Sequence, residues 1–186
     1  MMSPEGGGSA PGHAHHGAGW PSSSVDVDAP EGFVAQLAAV LDAYFDVWLA
    51  LSSDDLSAAR TDAGEVASAL SQVDTDLLSP QSHTAWMPLA RALGDGASAI
   101  SGAEGIEAAR SAFALLSESM YSALTAFGAP GEGAVYRMHC PMSFDGRGAD
   151  WLQDAADVRN PYFGSVMFRC GDMVETVRSS GAHDHD

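Results

Sequence analysis

Glu104-Gly-Ile106-Glu-Ala-Ala109-Arg110-Ser-Ala-Phe113-Ala-Leu-Leu116-Ser-Glu-Ser-Met120-Tyr-Ser-Ala-Leu124-Thr-Ala-Phe127-Gly128 decides how this chain folds. Its apolar side chains return every three or four residues at Ile106, Ala109, Phe113, Leu116, Met120, Leu124 and Phe127. That period predicts one amphipathic helix from about Glu104 to Phe127. Gly128 supplies a left-handed stop and Pro130 bars continuation.

The same period recurs upstream. After Pro30, Phe33, Leu37, Val40, Leu41, Tyr44, Phe45 and Trp48 give a first helix with a wide apolar face. Ser52-Ser53-Asp54-Asp55 offers capping oxygens for a second helix, which carries Leu56, Ala59, Ala63, Val66, Leu70 and Val73. Ser79-Pro80 opens a third, with Trp86, Leu89, Leu93, Ala97 and Ile100 inward. Gly94-Asp-Gly96 falls inside it and predicts a local bend or loosening. Four such helices on short loops predict an antiparallel up-down-up-down four-helix bundle over residues 31–133. The aromatic and methionine stripes are read as core, because helical spacing alone explains them. No Glu-x-x-His pair occurs on these helices, so the sequence does not support a di-iron site; His83, alone near a helix start, is read as structural.

Composition narrows the function. Eight basic residues, all arginine, stand against 25 acidic ones, for a net charge of −17. Such a surface repels nucleic acid and anionic lipid headgroups. It attracts cations and basic partners weakly, but acidity of this kind is more often a solubility or habitat trait than a function. No apolar run is expected to reach the roughly 18 residues of a membrane span, so no membrane insertion is predicted. The start has no basic n-region or apolar h-region, so no signal peptide is visible. No nucleophile elbow, phosphate loop or paired-carboxylate motif is legible, and a non-enzymatic role is expected. Residues 1–30 are rich in Gly, Ser, Pro and Ala and are expected to be a disordered tail bearing His13, His15 and His16; residues 179–186 repeat the theme with His183 and His185.

The chemistry gathers after Gly133. Val135-Tyr-Arg-Met-His139-Cys140-Pro-Met142 and Met167-Phe-Arg-Cys170-Gly171 hold both cysteines of the chain, each close to a methionine. Ala134–His139 and the segment from Met167 onward alternate mildly, predicting a short β-hairpin in a C-terminal cap over residues 134–178. Trp151 and Leu152 are expected to plug the intervening insertion onto the bundle. The cap would bring Cys140 and Cys170 together. Three chemistries fit the pair. A disulfide would close a loop of about 30 residues and contribute roughly 3–4 kcal/mol. A Cu(I) or Ag(I) site would use both thiolates, with Met142, Met167 and His139 as auxiliary donors. A Zn(II) site on Cys140, Cys170 and His139 would lack a fourth ligand.

His139-Cys-Pro-Met-Ser-Phe144, Ala149-Asp-Trp-Leu-Gln153, Arg159-Asn-Pro-Tyr-Phe-Gly164 and Met167-Phe-Arg-Cys-Gly171, with Arg110 and Phe113 upstream, resemble an uncharacterised bacterial domain family. The resemblance covers about residues 33–178. In that family the domain stands alone, often secreted or lipid-anchored, or is fused to periplasmic adaptor subunits of copper/silver RND efflux systems. The resemblance implies a helical bundle with a C-terminal cap, a periplasmic or cell-surface location, and a role in heavy-metal homeostasis or efflux beside an efflux-system or other envelope protein. It carries the family's cysteines onto Cys140 and Cys170, with Pro141, Met142, Asn160, Pro161, Tyr162, Gly164, Met167 and Gly171 beside them. Asn160-Pro-Tyr-Phe-Gly164 is read as a turn whose aromatics pack on the bundle. No adaptor domain is legible in this sequence, so a free-standing metal-binding or accessory protein is expected rather than a complete pump adaptor.

Overall fold

Each long apolar period becomes a helix, and a small sheet follows them. The computed structural model describes residues 27–177. The long helices are α1 (Glu31–Ser52), α2 (Leu56–Ser71), α3 (Pro80–Ser101) and α4 (Ile106–Phe127), with a single turn, α5 (Ser143–Gly146), between the first two strands; the strands are β1 (Val135–Cys140), β2 (Ala149–Gln153) and β3 (Asp172–Val177). The protein is mainly helical, with a three-stranded antiparallel sheet at its C-terminal end in the order β2-β1-β3. The histidines at 13, 15, 16, 183 and 185 lie outside the described residues.

Capping chemistry sets the helix ends. The Asp55 side chain accepts the Ala58 N–H and starts α2, and Ser79 accepts the Ser82 N–H at the start of α3. Gly128, at φ 89°, ends α4. α1 packs on α2, α2 on α3 and α3 on α4, while α4 returns to α1. The inward residues are those of the helical period: Phe33, Leu37, Tyr44, Ala59, Val66, Trp86, Leu93, Phe113, Leu116 and Met120 are fully buried. At one end Phe33, Trp86 and Phe127 meet ring to ring, with Phe33 5.1 Å from each of the others.

Three expectations are corrected. α1 does have the length and apolar composition of a membrane span, yet half of that stretch is buried inside the protein. Its apolar face is the one packed in the helical core. Secondly, α3 runs unbroken through Gly94 and Gly96, and its irregular residue is Pro88, on the exposed side. Gly96 is a contact site, since a Cβ there would lie 3.1 Å from Leu116 Cβ on α4. Thirdly, the sheet has a further strand, β2, where only a plug on the helices was expected. Trp151 and Leu152 are both fully buried on it.

The sheet's two outer edges are treated differently. On β2 the Leu152 N–H donates to Tyr44 Oη of α1 at 3.0 Å, and the Asp150 carbonyl accepts Tyr162 Oη–H. Tertiary contacts thus occupy that edge. β3 is exposed except at Val177 and carries a bulge: the register steps from Arg137↔Glu175 to Met138↔Met173, leaving Val174 as the extra residue. A bulge flanked by Asp172 and Glu175 discourages strand addition there.

Candidate functional site

β1 carries Cys140 at its end, with the side chain fully buried on the same face as Met138 and Trp151. β3 pairs with β1 through His139↔Asp172. The residues just before Asp172 therefore arrive beside Cys140, which brings Cys170 there across 30 positions. The two sulfurs are 3.0 Å apart and both cysteines are free.

Glycine makes this approach possible. Gly171 has φ 134°, and a Cβ there would lie 2.8 Å from both the His139 carbonyl oxygen and Trp151 Cη2. Only glycine permits that conformation so close to β1. Asn160, fully buried, holds the other side. Its Nδ2 donates to the Cys170 carbonyl at 2.7 Å, and its Oδ1 accepts the Tyr162 and Phe163 N–H groups at 2.7 and 3.1 Å.

Electrostatically the two thiols are shifted in opposite directions. Burial raises the Cys140 thiol, but the Cys170 thiol, the Ser143 hydroxyl, the Met142 backbone N–H and the Asn160 amide together hold it below the ordinary thiol range. Cys170 is pushed up to about 11, first by its hydrogen bond to Cys140 and then by desolvation. The Ser143 hydroxyl is buried and forms no well-aligned hydrogen bond, so its service is as a polar neighbour of the Cys140 sulfur.

Of the five predicted ligands, the structure brings two together. His139 neighbours Cys140 on a strand, so its ring projects from the opposite face, where Nδ1 pairs with Asp150. Asp150 also binds Arg137 at 2.6 Å, and Arg137 lies over the Tyr121 ring and reaches Glu175. Met142 is 57 % exposed and Met167 is half-buried in the turn before Cys170; neither thioether hydrogen-bonds to the pair. Among the described residues no group of three or more His, Cys, Asp or Glu is placed to hold a metal ion. The tetrahedral zinc arrangement of Cys140, Cys170 and His139 is therefore not assembled.

Sequence reasoning missed Ser143, and placed Asn160 beside the cysteines only through the family resemblance. Asn160 reads locally as a turn residue, and its donor bond to Cys170 exists only in the folded chain. Arg110, noted only for the family resemblance, is a clamp. Almost buried on α4, its Nε donates to the Pro161 carbonyl at 2.9 Å and its Nη2 to Asp54 at 2.6 Å. The Asn160–Gly164 turn is thus pinned to the helices on one side and to Cys170 on the other.

Compared with known proteins, residues 40–132 match the family described as a protein of unknown function, DUF3347. The chain belongs to that family. No curated protein and no solved structure matches it significantly. The DUF3347 segment covers most of the helical part and stops before β1, so both cysteines lie outside it.

Proposed function

We propose that this DUF3347 protein is a non-enzymatic protein of the cell envelope that binds a soft univalent cation, Cu(I) or Ag(I), on Cys140 and Cys170. It would serve as an accessory to metal homeostasis or efflux, with an efflux-system or other envelope protein as partner. The observation that carries this reading is the meeting of two free thiols at 3.0 Å from distant parts of the chain. Thiolates are the donors such ions select. Binding by both thiolates would release the thiol protons to solvent, and the Asn160 amide, the Ser143 hydroxyl and the Met142 N–H are the polar neighbours that would face the resulting negative charge at Cys140. Met142 and Met167, on the segments flanking the pair, are the auxiliary donors. The four helices, each packed on the next, are read as the antiparallel bundle that carries this cap.

The separation favours a second reading as well. With metal–sulfur bonds of about 2.3 Å, sulfurs 3.0 Å apart would subtend only about 80° at the ion, so binding requires the pair to open. Closing by about 1 Å, with two electrons and two protons passed to an oxidant such as another disulfide, would instead give a disulfide. One pair of experiments separates them. In competition against a colorimetric Cu(I) chelator, the parent should retain the ion and the Cys140→Ser/Cys170→Ser variant should lose it. Equal competition by both proteins sinks the metal reading. A 2 Da mass gain on adding reductant to the untreated protein assigns the pair to a structural disulfide.

A further inference from the structure

The geometry points to Asn160 as a positioning residue that sets where the Cys170 sulfur stands relative to Cys140, an inference that rests on this pair being the working site. Three independent anchors meet at Asn160. Its own backbone is fixed from both directions, the N–H donating to the Phe168 carbonyl at 2.8 Å and the carbonyl accepting the Gly164 N–H at 3.1 Å. The next residue, Pro161, is tied to α4 through Arg110. The side chain then spends its acceptor on the turn, at Tyr162 and Phe163, and its donor on the Cys170 carbonyl.

These two ends of one amide do separable jobs. The Oδ1 bonds shape the Asn160–Gly164 turn. The Nδ2 bond crosses 10 positions and grips the backbone of Cys170 itself. Opposite that grip, Gly171 lies against the His139 carbonyl, so Cys170 is held between β1 and Asn160. Cys140 is fixed by strand pairing and full burial. Asn160 is therefore the link that relates Cys170 to the helical frame.

Asn160→Asp tests the division, because aspartate keeps the acceptor for Tyr162 and Phe163 and loses the donor to Cys170. The readout is the equilibrium with glutathione, in which two protein thiols and one glutathione disulfide give one protein disulfide and two glutathione molecules. Alkylation followed by mass spectrometry measures it without any metal. The expected result is a closing constant lowered about tenfold, corresponding to about 1.4 kcal/mol, in a protein of parental helicity. Asn160→Ala should lower it no less. A parental constant in Asn160→Asp overturns the inference.

The parent protein supplies a second measurement that does not depend on how the variants fold. The Asn160 side-chain amide protons should exchange slowly and shift when the pair is oxidised. Resonances identical in the two redox states overturn the assignment. Loss of Cu(I) retention by the parent, with this coupling intact, would remove the metal reading and leave the positioning role standing.

Discussion

At Gly164 an added Cβ would lie 2.0 Å from Asp54 Oδ1 and 2.5 Å from Arg110 Nη2. Glycine is required there because φ is 54° and a charged pair fills the space above it. That pair has a pH signature. The Asp54 carboxyl is held below its ordinary value of 3.8, first by the Ser165 hydroxyl and N–H and then, against a desolvation cost, by Arg110. A carboxylate with a lowered folded pKa adds stability that is fully present above its unfolded value and is lost as pH falls through the folded one. Asp54→Asn should therefore flatten the fall of stability between about pH 4 and the lower folded value, as read from urea midpoints across that range. A parental slope would show that another carboxyl dominates the acid transition. Arg110 was visible in the sequence only through the family resemblance. Its partners Pro161 and Asp54 lie 51 and 56 positions away, which no local pattern reveals.

Among the elements, α3 is the informative helix. Pro88 removes one backbone donor in its interior and crowds the carbonyl a turn earlier. The residue is exposed, so replacing it sacrifices no core contact. Pro88→Ala should raise stability by roughly 1–3 kcal/mol, measured by chemical denaturation; an unchanged midpoint would mean that the helix has already absorbed the defect. The glycines of the same helix show why composition misleads. Gly94 has nothing within 4 Å of where its Cβ would stand, whereas Gly96 lets Leu116 of α4 approach. Both read alike as helix breakers, and only the neighbouring helix distinguishes a cost from a contact. β2 escaped detection for a related reason. Asp150-Trp-Leu-Gln153 is buried on both faces and along its outer edge, so the alternation that marks a half-exposed strand is absent.

Over the whole molecule, helices and sheet share one core. Tyr44 stacks on Phe113 at 5.1 Å, Phe113 meets Tyr162 at 6.1 Å, and Tyr162 meets Trp151 at 5.9 Å, a continuous aromatic path from α1 to the sheet. Trp48 of α1 adds a hydrogen bond to the Arg159 carbonyl at 2.9 Å. Cap and helices should therefore unfold together. In a Cys170→Ser background, buried Cys140 becomes a reporter of the sheet. Its reactivity toward a thiol reagent should rise at the same denaturant concentration at which helicity falls. Labelling well before helix loss would make the sheet a separate cooperative unit. The sequence by itself determined the four helices, their caps and their buried faces, because helical period and capping are local properties written within a few residues. It also singled out the two cysteines as a pair. Only the tertiary structure decided that β1 carries Cys140 inward and His139 outward, and that Asn160 and Gly171 seat Cys170 beside it. Those placements depend on strand register and on contacts across dozens of residues, and register is set by packing, which no single segment encodes.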